Sequence, residues 1–325
     1  MKTTSWILAA ALLTVFGCED DDHDHSSHTD TSSGADATTS GTDATSGTDA
    51  TSGADGDTSG VTSQDVTLRF EALVGTLPAA CSTSYSDLGS SKASAQLADA
   101  RMFLSVIEAR SAADGAWVPL TLADSAWQSQ GVALLDFEDG AGSCADSGTP
   151  EMNATITGTL PAGTYDAVRF DVGIPFALNH TNVSVPSPFD VPGMFWTWQG
   201  GYKFLRVDWS LDGATPARWN IHLGSTECVS DAATAPPTEP CGRRNASTVE
   251  VTSFDPAQDT LLINLAALLS DADLSADTPQ SPPGCMSSPN EPDDCGPTFD
   301  SLGMSFDTGA CMDSCQSQRV FSTKP

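Results

Sequence analysis

Positive charge is what this sequence lacks most. Thirteen lysines and arginines stand against 43 acidic residues in a chain of 325, a formal net charge of −30. Nucleic acid is held through clustered lysine and arginine, so it is excluded as a partner. Docking on an anionic membrane surface is disfavoured for the same reason. Beyond the N-terminus no apolar run reaches 18 residues, so no membrane-crossing helix is expected there. A Gly-x-Ser-x-Gly elbow, an HExxH helix and a phosphate loop are all missing. Paired CxxC spacings for zinc or an iron–sulfur cluster are missing too.

What is present begins with a short export leader. Lys2 precedes the apolar run Trp6 to Phe16, and the run ends at Val15-Phe16-Gly17-Cys18. That ending matches a bacterial lipobox, so residues 1–18 are expected to be a lipoprotein signal with lipidation at Cys18. The protein is then a periplasmic or cell-surface lipoprotein of a Gram-negative bacterium, attached to the membrane through its lipid alone. Residues 19–64 repeat Asp, Ser, Thr, Gly and Ala with eleven acids and no base. With Val61 as its single large apolar residue, this stretch cannot offset the entropy of ordering a backbone, and it reads as an acidic tether. Its Gly-rich statistics place its ends roughly 35–40 Å apart. His23, His25 and His28 lie here among aspartates, without a fixed geometry for a metal.

Residues 65–325 carry the fold. Val66, Leu68, Phe70 and Ala72 alternate with Thr67, Arg69 and Glu71, the period of a half-buried strand. Similar runs are Met102–Ala109 and Trp117–Leu122 around an Asp114-Gly115 turn, then Val132–Phe137, Ala154–Leu160, Tyr165–Val172, Tyr202–Leu211, Arg218–Leu223 and Thr248–Phe254. Only Leu261–Leu269 looks helical, and regular structure is not expected after Asp271. These features predict one all-β domain, an antiparallel sandwich or barrel-like fold with long loops. Apart from Cys18 there are eight cysteines, an even number that reads as disulfides in an exported chain. Proximity favours Cys228–Cys241, Cys285–Cys295 and Cys311–Cys315, which leaves Cys81–Cys144.

Two histidines fall in this domain. His222 sits in Arg218–Leu223, where Trp219, Ile221 and Leu223 would face the core and His222 the opposite side. His180 opens a loop after the apolar run Ile174–Leu178. Between them, Met194-Phe195-Trp196-Thr197-Trp198-Gln199-Gly200-Gly201-Tyr202 puts Trp196 and Trp198 on one face if extended. The residues alone leave two readings open: a metal site at His180 and His222, or an anchored carbohydrate-binding module stacking sugars on Trp196, Trp198 and Tyr202.

Taken together, Val132 to Gly140, Asn179-His180, Trp196-x-Trp198-Gln199-x-Gly201-Tyr202-Lys203-Phe204, His222-Leu223-Gly224-Ser225-Thr226-x-Cys228 and Gly284-Cys285-Met286-Ser287 resemble the MbnP-like copper-binding proteins. These are four-cysteine-motif members of a pair whose other half is a di-haem protein similar to cytochrome c peroxidase and MauG. The resemblance spans roughly Val66 to Phe321. It implies one copper ion held by His180 and His222, beside a tryptophan, Trp196 or Trp198, that the di-haem partner oxidises to kynurenine. Opening the pyrrole ring exposes an aniline nitrogen, and a nitrogen site of low coordination suits Cu(I). Met194 is a candidate thioether donor. Asn179, Gln199 and Asn220 are candidates to orient the imidazoles. Trp209 and Trp219 are candidate surface stepping stones for electron holes. On this reading the chain is a binding protein and a substrate of modification, not an enzyme.

Overall fold

A computed structural model describes residues 62–181 and 186–325. The leader, Cys18 and nearly all of the tether lie outside the described residues. The first strand, Ser63–Val74, begins two residues before the expected domain start.

Two sheets pack face to face. One has the strand order Phe321–Thr323, Thr260–Asn264, Ser63–Val74, Thr155–Pro161, Thr121–Leu122. The other runs Ser247–Thr252, Tyr165–Val172, Ala93–Ser111, Leu205–Leu211, Arg218–Leu223, Gly284–Cys285, with Val132–Asp136 also pairing the long strand Ala93–Ser111. Their inner faces form the main core, which includes Leu68, Phe70, Ile156 and Ile263 from the first sheet and Met102, Leu104, Phe170 and Val207 from the second. The fold is thus the expected all-β sandwich.

The long strand keeps its apolar side inward through two irregularities. Asp99 pairs with Asp208 and Leu97 with Trp209, so Ala98 is an extra residue there. A second shift falls between Ser105 and Glu108, where exposed Val106 takes a φ of 51°. Each slip would otherwise turn every later side chain to the wrong face. Between the bulges Ala100, Met102 and Leu104 face the core, while Asp99, Arg101, Phe103 and Ser105 face outward.

Several expectations need correction. The ladders are not all antiparallel: Ser63–Val74 pairs with Thr260–Asn264 in parallel, as does Arg218–Leu223 with Gly284–Cys285. Long connections precede both returning strands, which frees them from hairpin geometry. Leu261–Leu269 starts as a strand and becomes a 3-10 turn only at Leu265, where the Asn264 side chain accepts from Ala266 N–H. The loop-rich end contains a helix, Pro292–Ser301, hidden in the sequence by Pro297. Pro292 and Asp293-Asp294 suit its first turn, and Cys295 and Phe299 fix it to the core. Trp209 and Trp219 are fully buried in the main core and are not surface aromatics.

The four disulfides are Cys81–Cys144, Cys228–Cys241, Cys285–Cys295 and Cys311–Cys315, the pairing that proximity favoured. On the outer face of the second sheet, residues 174–181 and 186–204 pack over Phe103 and Leu134 and form with them a smaller apolar cluster that includes Phe189, Met194, Tyr202 and Phe204.

Candidate metal centre

Beside that cluster the outer face is charged, although it is buried. Glu138 Oε1 lies 3.9 Å from Arg101 Nε, and Arg101 binds Asp99 through both carboxylate oxygens. Arg206 continues the chain, reaching Asp99 at 3.1 Å and Asp208 at 2.8 Å. Asp208 Oδ1 then accepts from His222 Nε2 at 2.7 Å. Strand alternation builds this line, since Arg101 is paired with Arg206 and Arg206 with His222 across three neighbouring strands.

Burial pushes the Asp136 carboxyl, beside Arg101 on the next strand, up to about 8. Burial raises Glu138 as well and lowers Lys203 to about 8, with its Nζ donating to the Gly193 carbonyl. Asp136 held protonated balances the remaining three carboxylates against Arg101, Lys203 and Arg206. The folded chain therefore keeps a proton that the unfolded chain gives up above about pH 4, and stability falls as pH rises toward 8. His180 and His222, both lowered by burial, act in the opposite sense only below about 6.5. From pH 6.5 to 8 the protein is expected to lose roughly 1–2 kcal/mol of unfolding free energy. Asp136→Asn should flatten that slope in urea titrations. An unchanged slope would show that Asp136 is not the group responsible.

His222 is half-buried and points outward, as its place in the strand predicts. Its Nε2–H is committed to Asp208, so Nδ1 carries the free lone pair. Burial by itself would raise Asp208, but the hydrogen bond from His222, together with the charge and hydrogen bond of Arg206, holds it below the usual carboxylate range. A carboxylate that fixes the tautomer of an imidazole in this way is the usual support of a metal-binding histidine.

His180 follows the single helical turn Phe176–Asn179. Its Nδ1–H donates to the Trp198 carbonyl at 3.1 Å, leaving the Nε2 lone pair toward Asn179 Nδ2 at 3.2 Å. Burial lowers its pKa, so it stays neutral. Asn179 in turn accepts from Tyr202 N–H at 2.9 Å. Gly201 makes this approach possible: its φ is +74°, and a Cβ would meet Asn179 amide atoms at 2.7 Å.

The hairpin Phe195–Tyr202 therefore joins the two histidine segments. On one side Trp198 and Tyr202 hold His180 and Asn179. On the other, Trp196 lies over Gly224, whose Cβ would sit 2.5 Å from the indole six-ring. Gly224 lies two residues beyond His222, just past the end of that strand, so the hairpin brings the Trp196 ring to the end of the His222 segment. Trp198 packs edge-on against Phe195 at 6.4 Å.

Of the expected supporting amides, Asn179 does meet the His180 imidazole, at Nε2, whereas Gln199 bonds the Cys228 carbonyl and Asn220 the Pro283 carbonyl. The other held nitrogens are fixed by Asp208 and a main-chain carbonyl. Asp208 is legible only as an outward residue of an alternating strand, and its partner on the next strand depends on register. Met194 is buried in the smaller apolar cluster, while Met286 lies beside Trp196 in an open cleft. Tyr202 is fully buried with its hydroxyl donating to Phe189 O, so it cannot stack a sugar.

Such a site defines a class: a disulfide-braced β-sandwich carrying two neutral histidines, one with a ring nitrogen held by a carboxylate and the other with a ring nitrogen held by a main-chain carbonyl. Residues 63–287 match the MbnP family, and the chain belongs to it. Among solved structures, MbnP from Methylosinus trichosporium is similar with a TM-score of 0.72 and 29% identity, covering 81% of this chain and 99% of that one. A search of curated proteins gives no match. The family match ends before Cys295, Cys311 and Cys315, so the C-terminal helix and the last bridge lie beyond it.

Proposed function

We propose that this chain is an exported, lipid-anchored copper-binding protein. His180 and His222 hold one copper ion, and a di-haem peroxidase-like partner completes the site by oxidising Trp196 to kynurenine. The observation that carries this reading is the hairpin, which lays the Trp196 indole over Gly224, two residues past His222, while a carbonyl of the same hairpin fixes the His180 tautomer. Two neutral imidazoles, His222 with Nδ1 free and His180 with an Nε2 that an ion would take from the Asn179 amide, suit a borderline-soft ion, and a low-coordinate site suits Cu(I) better than zinc, which would want a fourth ligand. Trp196 is preferred to Trp198 because Trp198 reaches His180 through its main chain, which ring oxidation leaves unchanged. The chain's own residues do no bond chemistry in this scheme. They present an oxidisable ring, fix two tautomers and shield the site from water. The acidic surface favours a partner with a basic face and a salt-sensitive encounter.

The test is peptide mass spectrometry with copper quantified on the same protein from its native host. A gain of about 4 Da on Trp196, two oxygens added and a net carbon and oxygen lost when the formyl group is hydrolysed off, is expected together with near-stoichiometric copper bound through nitrogen. Intact tryptophans and no copper in native protein would overturn the reading.

A further inference from the structure

The Cys228–Cys241 bridge lies against His180. Cys241 Sγ is 3.5 Å from His180 Nε2, and that nitrogen and both sulfurs lie within 4.8 Å of one another. While the bridge is closed these atoms cannot hold a metal as a set, because a disulfide sulfur is not a thiolate. We propose that reducing Cys228–Cys241 converts the trio into a second soft-metal site, two thiolates and one imidazole, that takes Cu(I).

Three features support this. The nitrogen is ready: Nδ1–H is occupied by the Trp198 carbonyl, so Nε2 faces the sulfurs with its lone pair, held there by the Asn179 amide that a metal would displace. The bridge is also reachable. Cys241 lines a cavity of about 640 Å³ and Cys228 a separate cleft of about 280 Å³, and both residues are only half-buried. Each of the other three bridges has at least one fully buried cysteine: Cys144, both Cys285 and Cys295, and Cys315. Exchange needs a thiol to reach a sulfur; Cys311 also opens onto the larger cavity, but only in Cys228–Cys241 are both sulfurs half-exposed, so a donor can attack it from either side. Finally, the donors suit the ion. Two thiolates and an imidazole complete a three-coordinate Cu(I) site, and no fourth His, Cys, Asp or Glu ligand atom joins the trio among the described residues.

The reducing equivalents come from a dithiol donor. Its thiolate attacks one sulfur of the bridge, the S–S bond breaks and a mixed disulfide forms. The donor's second thiol resolves that intermediate, and the donor leaves as its own disulfide while Cys228 and Cys241 become thiols. Binding Cu(I) then releases their two protons to water. His180 would thus be shared, serving a nitrogen site when the bridge is closed and a sulfur-rich one when it is open. The sharing with the nitrogen site rests on the function proposed above, whereas the sulfur site does not require an oxidised tryptophan.

The test uses full-length protein made without the haem partner, with Trp196 shown intact by mass. Cu(I) is titrated against a competing chelator before and after phosphine reduction, and its donors are read by X-ray absorption. The reduced protein is expected to bind one Cu(I) about a hundredfold more tightly than the oxidised protein, with two sulfur neighbours. A Cys228→Ser/Cys241→Ser double variant, reduced identically, should lose that gain, and because it lacks the bridge in both arms it also reports whether the fold survives opening. His180→Gln should keep the sulfur donors but bind less tightly. Only nitrogen and oxygen donors in the reduced protein, or an equal gain in the double variant, would overturn the inference. Neither result touches the kynurenine reading, and unmodified Trp196 in native protein would not touch the sulfur site.

Discussion

Arg101→Met is expected to cost roughly 3–5 kcal/mol of unfolding free energy, the largest stability loss from a single side chain in the outer layer. Arg101 is 1% exposed and stands between Asp99 and Glu138, both at 0%. Removing its guanidinium strands Glu138 without a cation and leaves Asp99 to Arg206 alone, in surroundings where water cannot take over. A buried charge that loses its partner is costly, whereas a pair removed together need not be. The double change Asp99→Leu/Arg101→Met should therefore be milder than Arg101→Met alone, and denaturant titration of the two variants with all bridges intact is the measurement. A loss below about 1 kcal/mol for the single change would mean that the layer is hydrated like a surface ion pair. The consequence for the site is direct, because Asp99 anchors Arg206, Arg206 anchors Asp208 and Asp208 holds His222.

Trp196→Phe, expressed in the native host, is expected to emerge with at least about tenfold less copper than the wild type, in line with losses seen when a metal site is disturbed. Phenylalanine still covers Gly224 but has no pyrrole ring to open. Trp198→Phe should retain copper within about twofold, since the carbonyl that binds His180 belongs to the main chain. Copper content and peptide mass on both variants decide the matter. Full copper in Trp196→Phe would assign the modification elsewhere.

The residues that carry the site were legible to unequal degrees. His222 could be read as an outward side chain because Trp219, Ile221 and Leu223 leave it no other face. His180 and the two tryptophans could be marked as chemistry, but not placed. Asp208 was missed because its value comes from a neighbour on another strand. Trp209 and Trp219 looked available and are core residues, since alternation puts odd-numbered positions of Leu205–Leu211 and Arg218–Leu223 inside. Tyr202 was grouped with a stacking surface, yet it is buried in the smaller apolar cluster.

The fold class, an even cysteine count that signals disulfides and the two candidate histidines follow from the sequence alone, because periodicity and composition are local properties of a chain, whereas proximity only suggested which cysteines pair. Tertiary structure decided the rest. Two bulges in Ala93–Ser111 set which residues of the long strand face outward. Register across three strands joined Arg101, Asp99, Arg206, Asp208 and His222 into one chain of charges, with Glu138 added from just past the end of Val132–Asp136. A glycine at positive φ let one hairpin close on Asn179 and His180 while its Trp196 reached Gly224, and the folded chain set a disulfide beside His180. These are contacts between residues far apart in sequence, and their partners exist only once the sheets have closed over a common core.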